Sequence, residues 1–101
     1  MVRPKREAEK PEDLVWKDLL PFLVLAIIDK EPMHGYGIKK KILEMSKAKM
    51  GATTIYAVIY SLSRLGMIEG SWKKRRKVYK LTDKGKKALE LARKALRENL
   101  F

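Results

Sequence analysis

Residues 51–65, GATTIYAVIYSLSRL, carry no charge before Arg64, in a chain of which 36% is charged. At about 100° per residue, Ile55, Val58, Ile59, Leu62 and Leu65 share one side of a helix, the i, i+3, i+4, i+7 spacing of an element packed on a core. The opposite side carries Thr53, Tyr56, Ala57, Tyr60, Ser61 and Arg64. A side meant only for water would be filled with Lys and Glu in so charged a chain. Small residues, hydroxyls, tyrosines and an arginine suit a partner that presents hydrogen-bonding edges and methyl groups, as the major groove of DNA does.

With 101 residues the chain forms one domain with a single modest core, and 46% hydrophobic residues are enough to fold it. Twenty-four Lys and Arg against twelve Asp and Glu give a net charge of +12. That balance points to a polyanion, either nucleic acid or an anionic membrane surface. Cysteine is absent and His34 is the only histidine, so disulfides, thiol chemistry and a Cys- or His-built metal site are excluded. The same count fits a cytoplasmic protein.

Glu7, Glu9, Glu12, Asp13 and Asp18 place acid where a secretion signal needs positive charge, and the apolar run from Leu19 to Ile28 is too short to span a bilayer. A membrane-surface role is disfavoured because the basic residues do not lie opposite an apolar helical stripe. No carboxylate pair, nucleophile-base pair or phosphate-cradling glycine loop is present, and Gly35-Tyr36-Gly37 is too short to be one, so neither an enzyme nor a cofactor is expected. Glutamine is absent and Asn99 is the only asparagine, a bias seen in hyperthermophile proteins.

Residues 1–13 are expected to form a frayed tail, although Pro11, Glu12 and Asp13 could open a helix. Asp18 to Ile28 is apolar nearly all round, a helix buried on several sides, one of which a second subunit could cover. Pro21 sits either in its first turn, capped by Asp18, or at a kink in a helix begun earlier. Met33 to Gly37 is expected as a turn into a second helix, Ile38 to about Lys47, with Ile42, Leu43 and Met45 inward. His34 is read as a helix-start or packing residue. The lysines of residues 39–49 give this segment a net +4, which is either plain solubility or what a helix lying across a DNA backbone needs. A short loop then leads into the uncharged helix, which closes at Gly66.

After Gly66 the period shortens towards 2, predicting strands over Met67–Trp72 and Lys77–Leu81, with Tyr79 and Leu81 inward. Between them lies Lys73-Lys74-Arg75-Arg76, a cationic tip without the glycine of a tight hairpin turn. Residues 71–87 hold nine basic side chains and one acidic, a net +8. Such a run is either a solvated loop or, placed directly after a candidate recognition helix, the wing of a winged helix. Thr82 to Gly85 caps a last helix. Its stripe of Ala88, Leu89, Ala92, Ala95, Leu96 and Leu100 either folds back on its own domain or pairs with a second copy, and we favour pairing.

Taken in order, the apolar first helix, Pro32-Met33-His34-Gly35-Tyr36, Thr54-Ile55-Tyr56, Leu62, Gly66-Met67-Ile68 and Lys77-Val78-Tyr79-Lys80-Leu81-Thr82 with Gly85 resemble the PadR-like transcriptional regulators over residues 22–89. Ala57 stands where members commonly have proline, and Ser63 where they have an acidic residue. The target sequence therefore cannot be copied from relatives. The resemblance implies a homodimeric winged-helix repressor, with the last helix, and often the first, forming the dimer. Some relatives respond to phenolic or multidrug ligands near that interface. Trp16 and Trp72 could line such a pocket, although buried structural tryptophans are the plainer reading, so any small-molecule effector stays unassigned.

The expected fold is mainly α with a small β-hairpin wing: a flexible tail (1–13), a winged helix-turn-helix domain (14–85) and a C-terminal dimerisation helix (86–101). The expected partners are double-stranded DNA and a second copy of the chain, with two recognition helices about 34 Å apart on a pseudo-palindromic operator. Thr53, Thr54, Tyr56, Ala57, Tyr60, Ser61 and Arg64 are the groove candidates. Tyr36, Lys39, Lys40 and the wing residues Lys73, Lys74, Arg75, Arg76 and Lys77 are the backbone candidates. Leu89, Ala92, Leu96 and Leu100 are the dimer candidates. The alternative is a winged module that binds RNA or another protein without operator specificity.

Overall fold

The computed structural model describes residues 11–48 and 50–100. In chain order it contains α1 (Pro11–Lys30), β1 (Met33–His34), α2 (Gly35–Met45), α3 (Ala52–Arg64), β2 (Ile68–Lys73), β3 (Arg76–Leu81) and α4 (Asp83–Leu100). Among the described residues, four helices and a three-stranded antiparallel sheet of order β1-β3-β2 make a winged helix-turn-helix.

Helix α1 begins at Pro11, so residues 11–13, expected in the tail, are helical; the rest of that tail lies outside the described residues. Asp18 is therefore not a cap, and Pro21 sits inside one continuous helix. Leu20, Val24, Leu25, Ile27 and Ile28 are all buried. The helix touches α2, α3, α4 and β3, and these neighbours within the same chain account for most of its all-round apolar character.

Helix α2 starts at Gly35, three residues earlier than its apolar spacing implied, with His34 in the N-cap position. What reads in sequence as a turn is the edge strand β1, in which Met33 pairs with Tyr79 and His34 with Val78. Two residues are too few to show a period. Ile38 and Ile42, one turn apart, are the inward residues of α2, whereas Met45 is exposed and Leu43 half-buried. The buried Ser46 hydroxyl donates to the Ile42 carbonyl and closes the helix. Lys47 and Ala48 follow in the left-handed region, at φ 54° and 62°. For residues with a Cβ this costs roughly 1–2 kcal/mol each.

Helix α3 buries Ile55, Ile59 and Leu62, with Val58 half-buried. Leu65, expected to face inward, is 55% exposed. The helix ends in a Schellman motif: the Gly66 N–H donates to Ser63 and the Met67 N–H to Leu62, with Gly66 at φ 79°. The next three carbonyls are taken up by residues that follow β3. Lys84 Nζ donates to Leu65 O at 2.8 Å, Thr82 Oγ1 to Gly66 O at 2.6 Å, and the Thr82 N–H to Met67 O at 3.1 Å. The same Thr82 hydroxyl accepts the Gly85 N–H at 3.1 Å and so caps α4.

Gly85 is buried at this junction, and a Cβ there would fall on the Met67 carbonyl. Gly85→Ala is therefore expected to destabilise the fold by about 1–3 kcal/mol, as overpacking generally does. In a domain of this size that lowers the melting temperature by roughly 4–8 °C per kcal/mol, measurable by thermal denaturation.

Candidate nucleic-acid interface

The outer side of α3 reaches solvent as its composition suggests. Thr53, Thr54, Tyr56, Ala57, Tyr60, Ser61 and Arg64 are all exposed, with Tyr56 at 42% and Tyr60 at 64%. Tyr56, Tyr60 and Arg64 follow one another at four-residue spacing, so they stack along one side of the helix. The Arg64 guanidinium lies 5.7 Å from the Tyr60 ring centroid, a cation–π contact that keeps it on this surface.

Helix α2 adds Tyr36, Lys39 and Lys40 on one side, again by i, i+3, i+4 spacing. The Lys39 ammonium sits 4.6 Å from the Tyr36 ring centroid. Lys41 belongs elsewhere, at a hollow between α1 and α2 lined by Leu23, Ile27 and Met45.

The wing is a hairpin in register from Ile68↔Leu81 to Lys73↔Arg76, so its turn comprises only Lys74 and Arg75. Lys74 adopts φ 59°, the conformation glycine usually supplies. Residues 71–77 are all exposed, placing the five consecutive cations Lys73 to Lys77 in solvent. The structure thus carries three groups of the expected residues at the surface: the uncharged outer side of α3, the cationic side of α2 and the wing.

A tyrosine, a tryptophan and a histidine escape the sequence reading of this surface or are misplaced by it. Trp72 is 69% exposed, not buried. It faces Lys77 across the hairpin, and Lys77 Nζ lies 5.9 Å from both the Trp72 and the Tyr79 ring centroids. Trp72 and Tyr79, with His34, Tyr36 and Tyr56, line a cleft of about 410 Å³ between wing and helices. The signal available in sequence was the register: pairing Trp72 with Lys77 and Gly70 with Tyr79 puts all four on one side of the hairpin. Trp16, by contrast, is half-buried against the core.

The dimer candidates divide. Leu89 is 1% exposed, packed in the chain's own core, and this corrects its assignment to an intermolecular surface. Ala92 is half-buried beside an apolar groove between α1, α3 and α4, whose lining includes Phe22, Leu25, Val58 and Leu65. Leu96 is 37% exposed and Leu91, which the stripe omitted, is 66% exposed. The Leu100 side chain lies outside the described residues. An exposed ion pair, Arg93 to Asp29 at 3.5 Å, joins α4 to α1; such pairs contribute at most about 1 kcal/mol.

A helix-turn-helix followed by a basic wing, with an outer side on its second helix that is uncharged up to Arg64, defines a protein of the winged-helix class. The sequence profile of the transcriptional regulator PadR-like family matches residues 24–91, and the chain belongs to that family. It is accordingly a DNA-binding transcriptional regulator and not an enzyme.

Three solved structures illustrate the likeness. A PadR-like transcriptional regulator from Bacillus cereus is 28% identical, with a TM-score of 0.74 over 81% of this chain and 84% of that one. A PadR family regulator from hypervirulent Clostridium difficile is 27% identical, with a TM-score of 0.73 over 78% and 88%. A protein from Streptococcus mutans is 31% identical, with a TM-score of 0.72 over 78% and 76%. No curated protein sequence matches the chain. No helix among the described residues is long and apolar enough to cross a membrane.

The two tryptophans differ enough in exposure to be told apart in solution. Iodide should quench a fraction of the emission that Trp72→Phe removes and Trp16→Phe leaves, and equal quenching of the two single-tryptophan variants would contradict the placement of Trp72.

Proposed function

We propose that the protein is a repressor that binds as a homodimer to a pseudo-palindromic operator, each α3 reading a major groove. The observation that carries this reading is the exposed side of α3, uncharged up to Arg64, together with the α2 lysines and a wing of five consecutive cations. Thr53 and Thr54 lie in the first turn of α3, where hydroxyls, free N–H groups and the helix dipole favour a phosphate. Tyr56, Ala57, Tyr60, Ser61 and Arg64 then meet base edges and thymine methyls, and Arg64 is suited to guanine. Tyr36, Lys39, Lys40 and Lys73 to Lys77 hold the flanking backbone, contributing affinity and register rather than sequence information.

Dimer formation is supported by the outer half of α4, where Leu91 and Leu96 face solvent, and by the apolar groove beside Ala92. Solvent-exposed leucines on a helix that projects from a small basic domain suit a second copy. Replacing Leu91 and Leu96 together by Glu should leave the melting temperature of the winged unit nearly unchanged and convert a dimer to a monomer in sedimentation. A wild-type protein that sediments as a monomer at all concentrations would remove the dimer from the proposal.

Selection from a random duplex pool should return two inverted half-sites with centres about 34 Å apart. Equal affinity for random duplex, genomic fragments and structured RNA would overturn operator reading and favour a general nucleic-acid module. Lys74→Ala and Arg75→Ala should each weaken all duplexes alike and lower the slope of log K against log salt by about 1. Unchanged slopes in both would remove the wing from the phosphate contacts.

A further inference from the structure

The cleft between wing and helices has a construction that phosphate contact alone does not require. By register, Ile68, Gly70 and Trp72 share one side of the hairpin with Leu81, Tyr79 and Lys77. At one end this side is core, since Ile68 and Leu81 are buried. At the other it overhangs the start of α2 and the outer side of α3, and there Trp72 is left 69% exposed.

Two glycines let its side chains pack close to the backbone. A Cβ at Gly70 would come within 2.8 Å of Lys77 Cε and 2.9 Å of Tyr79 Cε1, so its absence lets those side chains lie across the strand. A Cβ at Gly35 would stand 3.1 Å from Tyr56 Cε1 and 3.9 Å from Tyr79 Cε2, so both rings converge on the first residue of α2.

The chemistry of the lining is selective. Aromatic rings alone could cage a cation, but Arg75, Arg76 and Lys77 also line the cleft, and no acidic side chain does so among the described residues. A cationic ligand is thereby repelled, and a planar anion is favoured. The two kinds of contact are also spaced. Arg76 and Arg75 lie one and two residue steps beyond the Trp72–Lys77 pair towards the tip, roughly 3–7 Å at the rise of a strand. A ligand with a flat ring at one end and a negative group a few ångströms away satisfies both.

We propose that this cleft binds a nucleotide unit, with the base stacked on the Trp72 indole and the phosphate held by Arg75, Arg76 and Lys77. Stacking on an aromatic side chain is independent of base identity, and guanidinium groups match phosphate geometry. The unit has two sources. One is a nucleotide of the bound duplex, unstacked where the wing meets the groove, which rests on the DNA-reading proposal; kinking by an inserted side chain is an established mode of minor-groove binding. The other is a free nucleotide, which would occupy the cleft without DNA and compete with the duplex.

The test uses the full chain, Trp72→Ala, and Trp16→Phe so that Trp72 is the only indole. AMP is titrated against the fluorescence of Trp16→Phe, and a duplex carrying 2-aminopurine next to each selected half-site is bound by wild type and Trp72→Ala. Trp72 is exposed, so its loss leaves folding intact, as a melting curve verifies.

If the duplex is the source, 2-aminopurine emission rises with wild type and not with Trp72→Ala, and duplex affinity falls by roughly tenfold in the variant. If a free nucleotide is the source, AMP quenches Trp72 and displaces the duplex. Duplex binding with neither an emission rise nor an AMP response overturns the inference and leaves the DNA-reading proposal standing. Loss of affinity in Trp72→Ala without an emission rise, and without an AMP response, also overturns it, because the indole would then pack on sugar. If wild type binds no duplex at all, the DNA-reading proposal fails and the AMP titration alone decides the cleft: quenching supports the inference and no response overturns it.

Discussion

The relation between α3 and the wing is set at one residue, Thr82, and its hydroxyl makes two of the bonds. Thr82 Oγ1 donates to Gly66 O, at the end of α3, and accepts from Gly85 N–H, at the start of α4. Its own N–H meets Met67 O, and Lys84 reaches Leu65 O. The last carbonyls of α3 are met by the Schellman turn itself, and those of Leu65, Gly66 and Met67 just beyond it are met by the chain that returns from the wing. The end of α3, the base of the hairpin and the beginning of α4 are consequently one hydrogen-bonded junction. Loss of the hydroxyl would leave a carbonyl and an N–H unpaired together, so the cost falls on the geometry between α3 and the hairpin as well as on the cap.

Around that junction the core is built on α1, which touches the other three helices and the central strand. Its all-round apolar character was legible in sequence, and so was the amphipathic pattern of α3, because both are long enough for a period to show. Most of that character is accounted for by its own chain, since α2, α3, α4 and β3 all lie against it. Leu89 illustrates the same point: its stripe spacing was right, but it packs in the chain's own core, whereas Leu91, Ala95 and Leu96 further along α4 are exposed.

The parts that sequence could not supply are those set by contacts between distant residues. Strand β1 has two residues and exists through its pairing with β3. Gly85 looked like part of a capping sequence, whereas its stricter requirement is the Met67 carbonyl against which it lies. The turns at Lys47, Ala48 and Lys74 are left-handed without glycine, so the residue types that usually announce such turns were absent. Trp72, like Trp16, was read as buried, since a large ring is highly buried on average. Its exposure follows from the hairpin running on past the core while keeping the same side.

Charge is distributed so that the work of the α3 surface is divided. Asp29 and Arg93 offset each other between α1 and α4, whereas the five cations of the wing have no acid among them. Like charges along a hairpin repel, and here β2–β3 pairing and the Thr82 junction hold the strands against that repulsion. The cations are therefore available to a polyanion, where neutralised phosphates release counterions. The wing and α2 thus carry the charge, and the outer side of α3 carries shape and hydrogen-bonding groups. Ala57 sits in the middle of that side with only a methyl group, exposed beside Tyr56 and Tyr60. A different residue there would change this surface without disturbing the core.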